Sequence, residues 1–152
     1  MRLTKKSKYA VRAVVEIASN GCGPLGVAEI SRRQSIPERF LEQIFGELRR
    51  GGILESRRGA HGGYCLAIPA EEVTVLDIVE ILDGEVRPDR HSDEDGHYTD
   101  DVPSSSTGEV WDEARAALEG VFGRYSIAQL AEAERGSPDR QITRGPPMLH
   151  PL

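Results

Sequence analysis

Two short apolar runs joined by a basic, glycine-rich turn constrain the fold of this 152-residue chain most strongly. The runs are residues 52–55 and 64–68, and the turn between them reads Ser-Arg-Arg-Gly-Ala-His-Gly-Gly. Apolar runs around such a turn predict a two-stranded β-hairpin, and glycines supply the positive φ values that its tip needs. Arg57 and Arg58 at a small tip suit phosphate or a DNA groove better than a packed core. The alternative is a solvated surface turn, in which His61 is simply an exposed residue.

A helix-turn-helix pattern lies directly before this hairpin. A short helix is predicted over residues 27–34, and a second from Pro37 to about Arg50, where Gly51-Gly52 ends it. The second helix has polar residues on one side and an apolar stripe on the other. The stripe consists of Leu41, Ile44, Phe45 and Leu48.

If this second helix enters the major groove of DNA, its polar side supplies the contacts. We predict that Arg39, Glu42 and Gln43 face base edges, and that Arg49 or Arg50 binds phosphate. The alternative is an ordinary helical hairpin with a solvated polar face, but a basic hairpin at the right distance favours DNA. The predicted fold class is therefore mainly α with a small β-hairpin wing, a winged helix-turn-helix.

The net charge of −6 conceals an asymmetry between two halves of the chain. Residues 1–69 contain 12 Lys/Arg and 6 Asp/Glu, a balance of +6, whereas residues 70–152 contain 7 and 19, a balance of −12. The N-terminal half has the sign that DNA binding needs, and the acidic half cannot be the nucleic-acid face.

The segment 85–106 is acidic and rich in serine, and it follows a helix predicted over residues 75–82 with Thr74 as its N-cap. Such a composition buries little, which predicts a mobile loop. Four of its residues alternate in a way that suits a divalent metal such as zinc, although an ordinary acidic loop has the same composition. These weak metal candidates are His91, Asp93, Asp95 and His97.

A capping-box pattern at Ser106 and Glu109 opens a long helix. Its apolar residues recur at coiled-coil spacing and predict a dimerisation helix: Trp111, Ala114, Leu118, Val121 and Tyr125. They would otherwise cover the winged domain of the same chain, but we expect the first 84 residues to contain a complete winged core. Ser126 and Gln129 form a second capping box, which begins a short docking helix.

The predicted organisation follows from these segments. Its parts are a winged helix-turn-helix DNA-binding domain (1–84, beginning with a helix capped by Thr4), an acidic flexible loop (85–106), a dimerisation helix with a docking helix (107–135) and a disordered tail (136–152).

The chain has two cysteines, Cys22 and Cys65, which do not have CxxC spacing. This usage indicates reduced thiols in a cytoplasmic protein rather than a disulfide scaffold. The sequence has no apolar run of about 18 residues, so we expect no membrane span. Cys65 lies at the base of the predicted wing and is a candidate redox thiol, although a free cysteine in a strand is usually a small buried hydrophobe.

Short motifs over most of the chain carry a family resemblance. They are Met1-Arg2-Leu3-Thr4, Lys8-Tyr9-Ala10-Val11, Ala28-Glu29-Ile30, Ile36-Pro37, Phe40-Leu41-Glu42-Gln43, Leu48-Arg49, Ser56, Arg58-Gly59, Gly62-Gly63-Tyr64, Leu66, Trp111 and Ile127-Ala128-Gln129-Leu130. The chain resembles the Rrf-type family of bacterial winged-helix regulators, which includes the iron–sulfur cluster regulator, a nitric-oxide-sensing repressor and the cysteine metabolism repressor. The resemblance implies a homodimer crossed through the long helix and bound to a near-palindromic operator. It also implies DNA contacts by Arg39, Glu42, Gln43 and Arg58.

One departure from the family bears on the sensed signal. Redox members of the family hold an iron–sulfur cluster with three cysteines in the loop before the long helix, whereas residues 85–106 contain none. Because thiolates are the usual cluster ligands, we expect no iron–sulfur cofactor. In this respect the chain resembles the cysteine-free branch, typified by the cysteine metabolism repressor, which responds through a partner enzyme.

We therefore predict a cytoplasmic, homodimeric transcriptional regulator of the repressor type. Its expected partners are double-stranded DNA, a second copy of itself and, by resemblance, a regulatory protein. The alternative is a winged-helix adaptor whose wing contacts an acidic protein. An enzyme is not expected, because the sequence shows no nucleophile–base constellation and no phosphate-cradling glycine loop.

Overall fold

A computed structural model describes residues 4–21, 23–85 and 106–136. In these ranges the chain forms six helices and one antiparallel hairpin, which confirms the mainly α fold with a small wing. The elements are α1 (Lys5–Ser19), α2 (Val27–Gln34), α3 (Glu38–Arg50), β1 (Leu54–Arg57), β2 (Gly63–Leu66), α4 (Val75–Asp83), α5 (Ser106–Arg124) and α6 (Ile127–Arg135).

Helix α1 begins at the predicted cap and runs through the centre of the fold. The Thr4 hydroxyl accepts a hydrogen bond from the Ser7 backbone N–H and donates one of 2.7 Å to Asp83 at the end of α4. The buried Ser7 hydroxyl donates to the same carboxylate over 2.6 Å. Since one carboxylate receives both hydroxyls, the start of α1 is fixed to the end of α4.

One hydrophobic core joins the N-terminal helices to the last helix. The predicted α3 stripe is fully buried, as are Ala10, Ala13 and Val14 of α1. Ile127 and Ala131 of α6 belong to the same cluster. The Ile127 N–H donates to the Val73 carbonyl over 2.8 Å, and the Val75 N–H donates to the Tyr125 carbonyl over 3.0 Å. Contrary to the prediction, the core is therefore not complete within residues 1–84, because the docking helix α6 contributes two of its buried residues.

Three predicted boundaries shift by one or two residues. Pro37 is the N-cap of α3 and not its first helical residue. The strands lie at Leu54–Arg57 and Gly63–Leu66 rather than at 52–55 and 64–68, because β1 begins only after the turn that ends α3. Helix α5 is described from Ser106 onward, and the contacts of the Ser106 side chain fall outside the described residues, so its capping role stays a prediction. In the described part of the chain, no helix is long and apolar enough to span a membrane.

Candidate nucleic-acid interface

The polar face of α3 is exposed along its length. All five predicted contact residues of this helix are solvent-exposed: Arg39, Glu42, Gln43, Arg49 and Arg50. Within the described ranges, Arg39, Glu42 and Gln43 form no side-chain hydrogen bond or ion pair. A guanidinium and an amide that are not engaged within the chain are available to pair with base edges in a major groove.

The turn between α2 and α3 is stabilised by its backbone conformation and by polar contacts of α2 with α1. Ser35 ends α2 in the left-handed region at φ 53°, and the next residue, Ile36, is buried. Arg33 donates to the buried Glu16 carboxylate of α1 over 3.0 Å, and Gln34 donates to the same carboxylate over 2.6 Å. These bonds fix the end of α2 against α1, so the α2–α3 pair is presented as a rigid unit.

The outer side of α2 carries a second set of ion pairs. Arg32 and Arg33 both donate to Glu29, and these hydrogen bonds lower the pKa of Glu29 from 4.5 to about 2. Glu29 is therefore a carboxylate at any physiological pH and neutralises part of the charge of both arginines. Exposed pairs of this kind contribute little to stability, about 0–1 kcal/mol.

An isolated β-bridge that the sequence did not predict joins the hairpin to the segment before α2. Leu25 forms a bridge with Tyr64, because each backbone N–H donates to the other carbonyl over 2.9 Å. Gly63 allows this approach, since a Cβ at that position would overlap the Leu25 carbonyl. A bridge of one residue has no periodicity, so the sequence gives no signal for it beyond the paired glycines. The wing is thus anchored to the segment that leads into α2.

The two wing arginines are placed differently. Arg57 is the last residue of β1 and pairs with Glu55 at 3.3 Å, so it does not lie at the tip as predicted. Arg58 follows at the exposed tip, beside Gly59 with φ +116°, and forms no ion pair among the described residues. Arg49 of α3 donates to Ser56 of the wing over 3.3 Å. This hydrogen bond joins the end of α3 to the wing, at whose tip Arg58 is exposed.

Cys65 lies inside the wing and not on its surface. It pairs across the hairpin with Glu55, and its thiol donates to that carboxylate over 3.3 Å. Burial, and then the Glu55 carboxylate, raise the pKa of the Cys65 thiol. A raised pKa lowers the thiolate fraction, which disfavours the redox role that the sequence allowed.

The predicted seam of α5 faces solvent in the single chain. Trp111, Val121 and Tyr125 are 60%, 41% and 46% exposed, Ala114 is exposed, and Leu118 is half-buried. The opposite side of α5 packs on α4, where Gly123 lies against Leu76. The exposed seam residues therefore do not cover the winged core of their own chain. Large apolar side chains left in solvent along one helix are typical of an interface.

The metal candidates fall outside the part of the chain that can be described. His91, Asp93, Asp95 and His97 are among these residues, as is Cys22. Among the residues that are described, no group of three His, Cys, Asp or Glu side chains is placed to hold a metal ion.

Comparisons with known proteins agree with this geometry. A sequence profile of the family described as Rrf2, iron-dependent transcriptional regulator, matches residues 3–133. The HTH-type transcriptional regulator IscR of Citrobacter koseri is 33% identical over 150 residues, which cover 97% of this chain and 91% of that protein. The structure of CymR (YrzC), the global cysteine regulator of B. subtilis, superposes with a TM-score of 0.74 at 28% identity, over 88% of this chain and 98% of that one. For T. potens IscR the TM-score is 0.72 at 29% identity, over 95% and 94% of the two chains.

Proposed function

The chain belongs to the Rrf2 family of transcriptional regulators, and from this premise we propose that it is a homodimeric repressor that binds a near-palindromic operator. The family and its relatives are DNA-binding regulators and not enzymes. The observation that carries the proposal is the exposed polar face of α3, on which Arg39, Glu42 and Gln43 are not engaged within the chain, beside a wing with Arg58 at its tip.

In the proposed complex, α3 lies in the major groove. Arg39, Glu42 and Gln43 contact base edges, and an amide such as Gln43 is suited to a bidentate contact with adenine. Arg49 and Arg50, at the end of the helix, bind phosphate. Arg58 at the wing tip reaches the neighbouring backbone or the minor groove, whereas Arg57 stays in its ion pair with Glu55 until DNA competes for it.

The homodimer is proposed from the exposed seam of α5. Two copies that cross through Trp111, Val121 and Tyr125 would bury these side chains, which the single chain leaves in solvent. Two-fold symmetry of the protein then requires two operator half-sites, with one α3 helix for each.

We also propose that regulation uses no iron–sulfur cluster, although the family is described as iron-dependent. The residues present do not suit such a cluster: the whole sequence contains two cysteines, and Cys65 is buried in the wing as a hydrogen-bonded thiol. A cytoplasmic location and a regulatory partner protein complete the proposal. Purified protein that shows cluster absorption in the visible range, with stoichiometric iron and sulfide, would contradict it.

Recovery of genomic fragments bound by the protein tests DNA recognition directly. Gln43→Ala should weaken binding to a recovered fragment by about 1–3 kcal/mol and relax the preference at one base position, because it removes a base contact. Arg58→Ala should weaken binding to specific and random DNA alike, because it removes a phosphate or groove contact. Arg135→Ala, an exposed arginine of α6, is the matched control. If no fragment binds at low salt and an acidic protein co-purifies instead, the protein is an adaptor and the repressor proposal fails.

A further inference from the structure

Helix α1 carries three cations in one exposed stripe that the proposed function leaves unused. Lys5, Lys8 and Arg12 are all solvent-exposed and follow one another at spacings of three and four residues. At about 100° per residue, they fall within an arc of roughly 60° on the helix. The opposite face of α1 is buried in the core, so the direction of this stripe is fixed by packing.

The stripe lies beside the helix-turn-helix and not on a remote surface. Tyr9, at the edge of the stripe, packs edge-on against Phe40 in the first turn of α3, with ring centroids 5.8 Å apart. Arg12 donates to the backbone carbonyl of Gln34, the last residue of α2, over 2.6 Å. Arg12 therefore lies beside the turn between α2 and α3, and Tyr9 lies beside the first turn of α3, where the proposed base contacts begin.

The charges of this stripe are not neutralised within the chain. None of Lys5, Lys8 and Arg12 forms an ion pair with another described residue. Lys6, on the adjacent side of α1, shows the contrast: its ammonium pairs with Glu47 at 2.6 Å and is largely shielded. The Tyr9 ring lies 5.9 Å from the Lys5 ammonium and 5.8 Å from the Arg12 guanidinium, so it holds two of the cations near one another.

We propose that this α1 stripe is a further DNA contact, which grips the phosphate backbone next to the groove that receives α3. The inference rests on the proposed DNA binding and adds a surface to it. Lys5 and Lys8 bind phosphate as point charges. Arg12 contacts a phosphate while it keeps its hydrogen bond to the Gln34 carbonyl at the end of α2. The Tyr9 hydroxyl, which has no hydrogen-bond partner among the described residues, is a neutral donor to a phosphate oxygen.

Salt dependence of binding tests the stripe without knowledge of the operator. The probe is a labelled random-sequence duplex of about 30 base pairs, or three helical turns, titrated at several salt concentrations. A plot of log K against log salt has a negative slope, and each lost phosphate contact reduces the magnitude of this slope by about 0.9. Lys5→Gln/Lys8→Gln should therefore bind more weakly and with a shallower slope. Tyr9→Phe should weaken binding and leave the slope unchanged, because it removes a neutral donor only.

The controls separate this inference from the proposed function. Arg135→Gln has the charge change of one lysine substitution but lies on α6, so its slope should equal that of the unmodified protein. If the double lysine variant keeps the full salt slope while Gln43→Ala still loses its base preference, the proposed DNA contact of the α1 stripe is wrong and the repressor proposal stands. If the unmodified protein does not bind the duplex at low salt, both fail. Equal thermal midpoints of all variants show that the exposed substitutions leave the fold intact.

Discussion

Helices α3 and α5 are both amphipathic, but the chain uses their two faces in opposite ways. In α3 the apolar stripe is fully buried within the chain, and Arg39, Glu42 and Gln43 of the polar face are left exposed and unengaged. In α5 the side toward α4 is covered, while Trp111, Val121 and Tyr125 remain in solvent. The packing of α3 is complete in one chain, so its exposed face is free to bind DNA. The packing of α5 is incomplete, and we propose that a second copy of the chain buries its exposed apolar face.

Substitution in the α3 stripe tests the claim that this helix is complete within one chain. Phe45→Ala should lower the free energy of unfolding by about 3–5 kcal/mol, because the ring is fully buried and contacts Tyr64 of the wing. Urea denaturation measures this loss. Val121→Ala on α5 is the contrasting variant, and at concentrations too low for self-association it should change stability little. An equal loss of unfolding free energy in both variants would show that the apolar faces of α3 and α5 are equally buried within one chain.

Substitution in the α5 seam tests the claim that this helix needs a partner. Trp111→Ala should weaken self-association by about 30-fold, or 2 kcal/mol, since a large aromatic buried in an interface contributes most to its affinity. Sedimentation over a concentration range measures the dissociation constant. Glu113→Ala, which is exposed on the same helix but off the seam, should leave it unchanged. An unmodified protein that is monomeric at micromolar concentration would remove the contrast between the two helices.

The contact between α4 and α5 offers a smaller, pH-dependent test. Burial, followed by the charges of Glu85, Glu119 and Asp77, raises the pKa of Glu80 above 4.5. Ionised Glu80 is therefore less favourable in the folded chain than in the unfolded chain, and this cost is fully present above the raised pKa. Glu80→Gln should stabilise the protein at neutral pH by no more than about 1 kcal/mol. The gain should shrink as pH falls toward 4.5 in denaturation measurements, whereas Glu71→Gln, an exposed control, should show no such gain.

Local sequence signals predicted most of the elements because each has a local physical cause. The Thr4, Thr74 and Ser126 caps accept the backbone hydrogen bonds expected of them, which confirms these helix starts. The α3 stripe is buried as its periodicity indicated. The predicted contact residues of α3 are exposed, and their pairing with DNA remains a prediction.

Contacts between distant segments were not predictable in the same way. The Leu25–Tyr64 bridge joins single residues with no repeat around them, and the Asp83 link to Thr4 and Ser7 depends on where two helices end in space. The position of Arg57 also changed, because β1 ends two residues later than predicted and therefore includes Arg57.

The sequence by itself determined the winged helix-turn-helix, its basic N-terminal half and the absence of loop cysteines, since these depend on composition, caps and periodicity. Only the tertiary structure decided that α6 completes the core, that Glu55 engages both Arg57 and Cys65, and that Tyr9 and Arg12 of α1 lie beside the start of α3. These outcomes depend on which side chains meet across long sequence separations, and no local pattern encodes such a meeting.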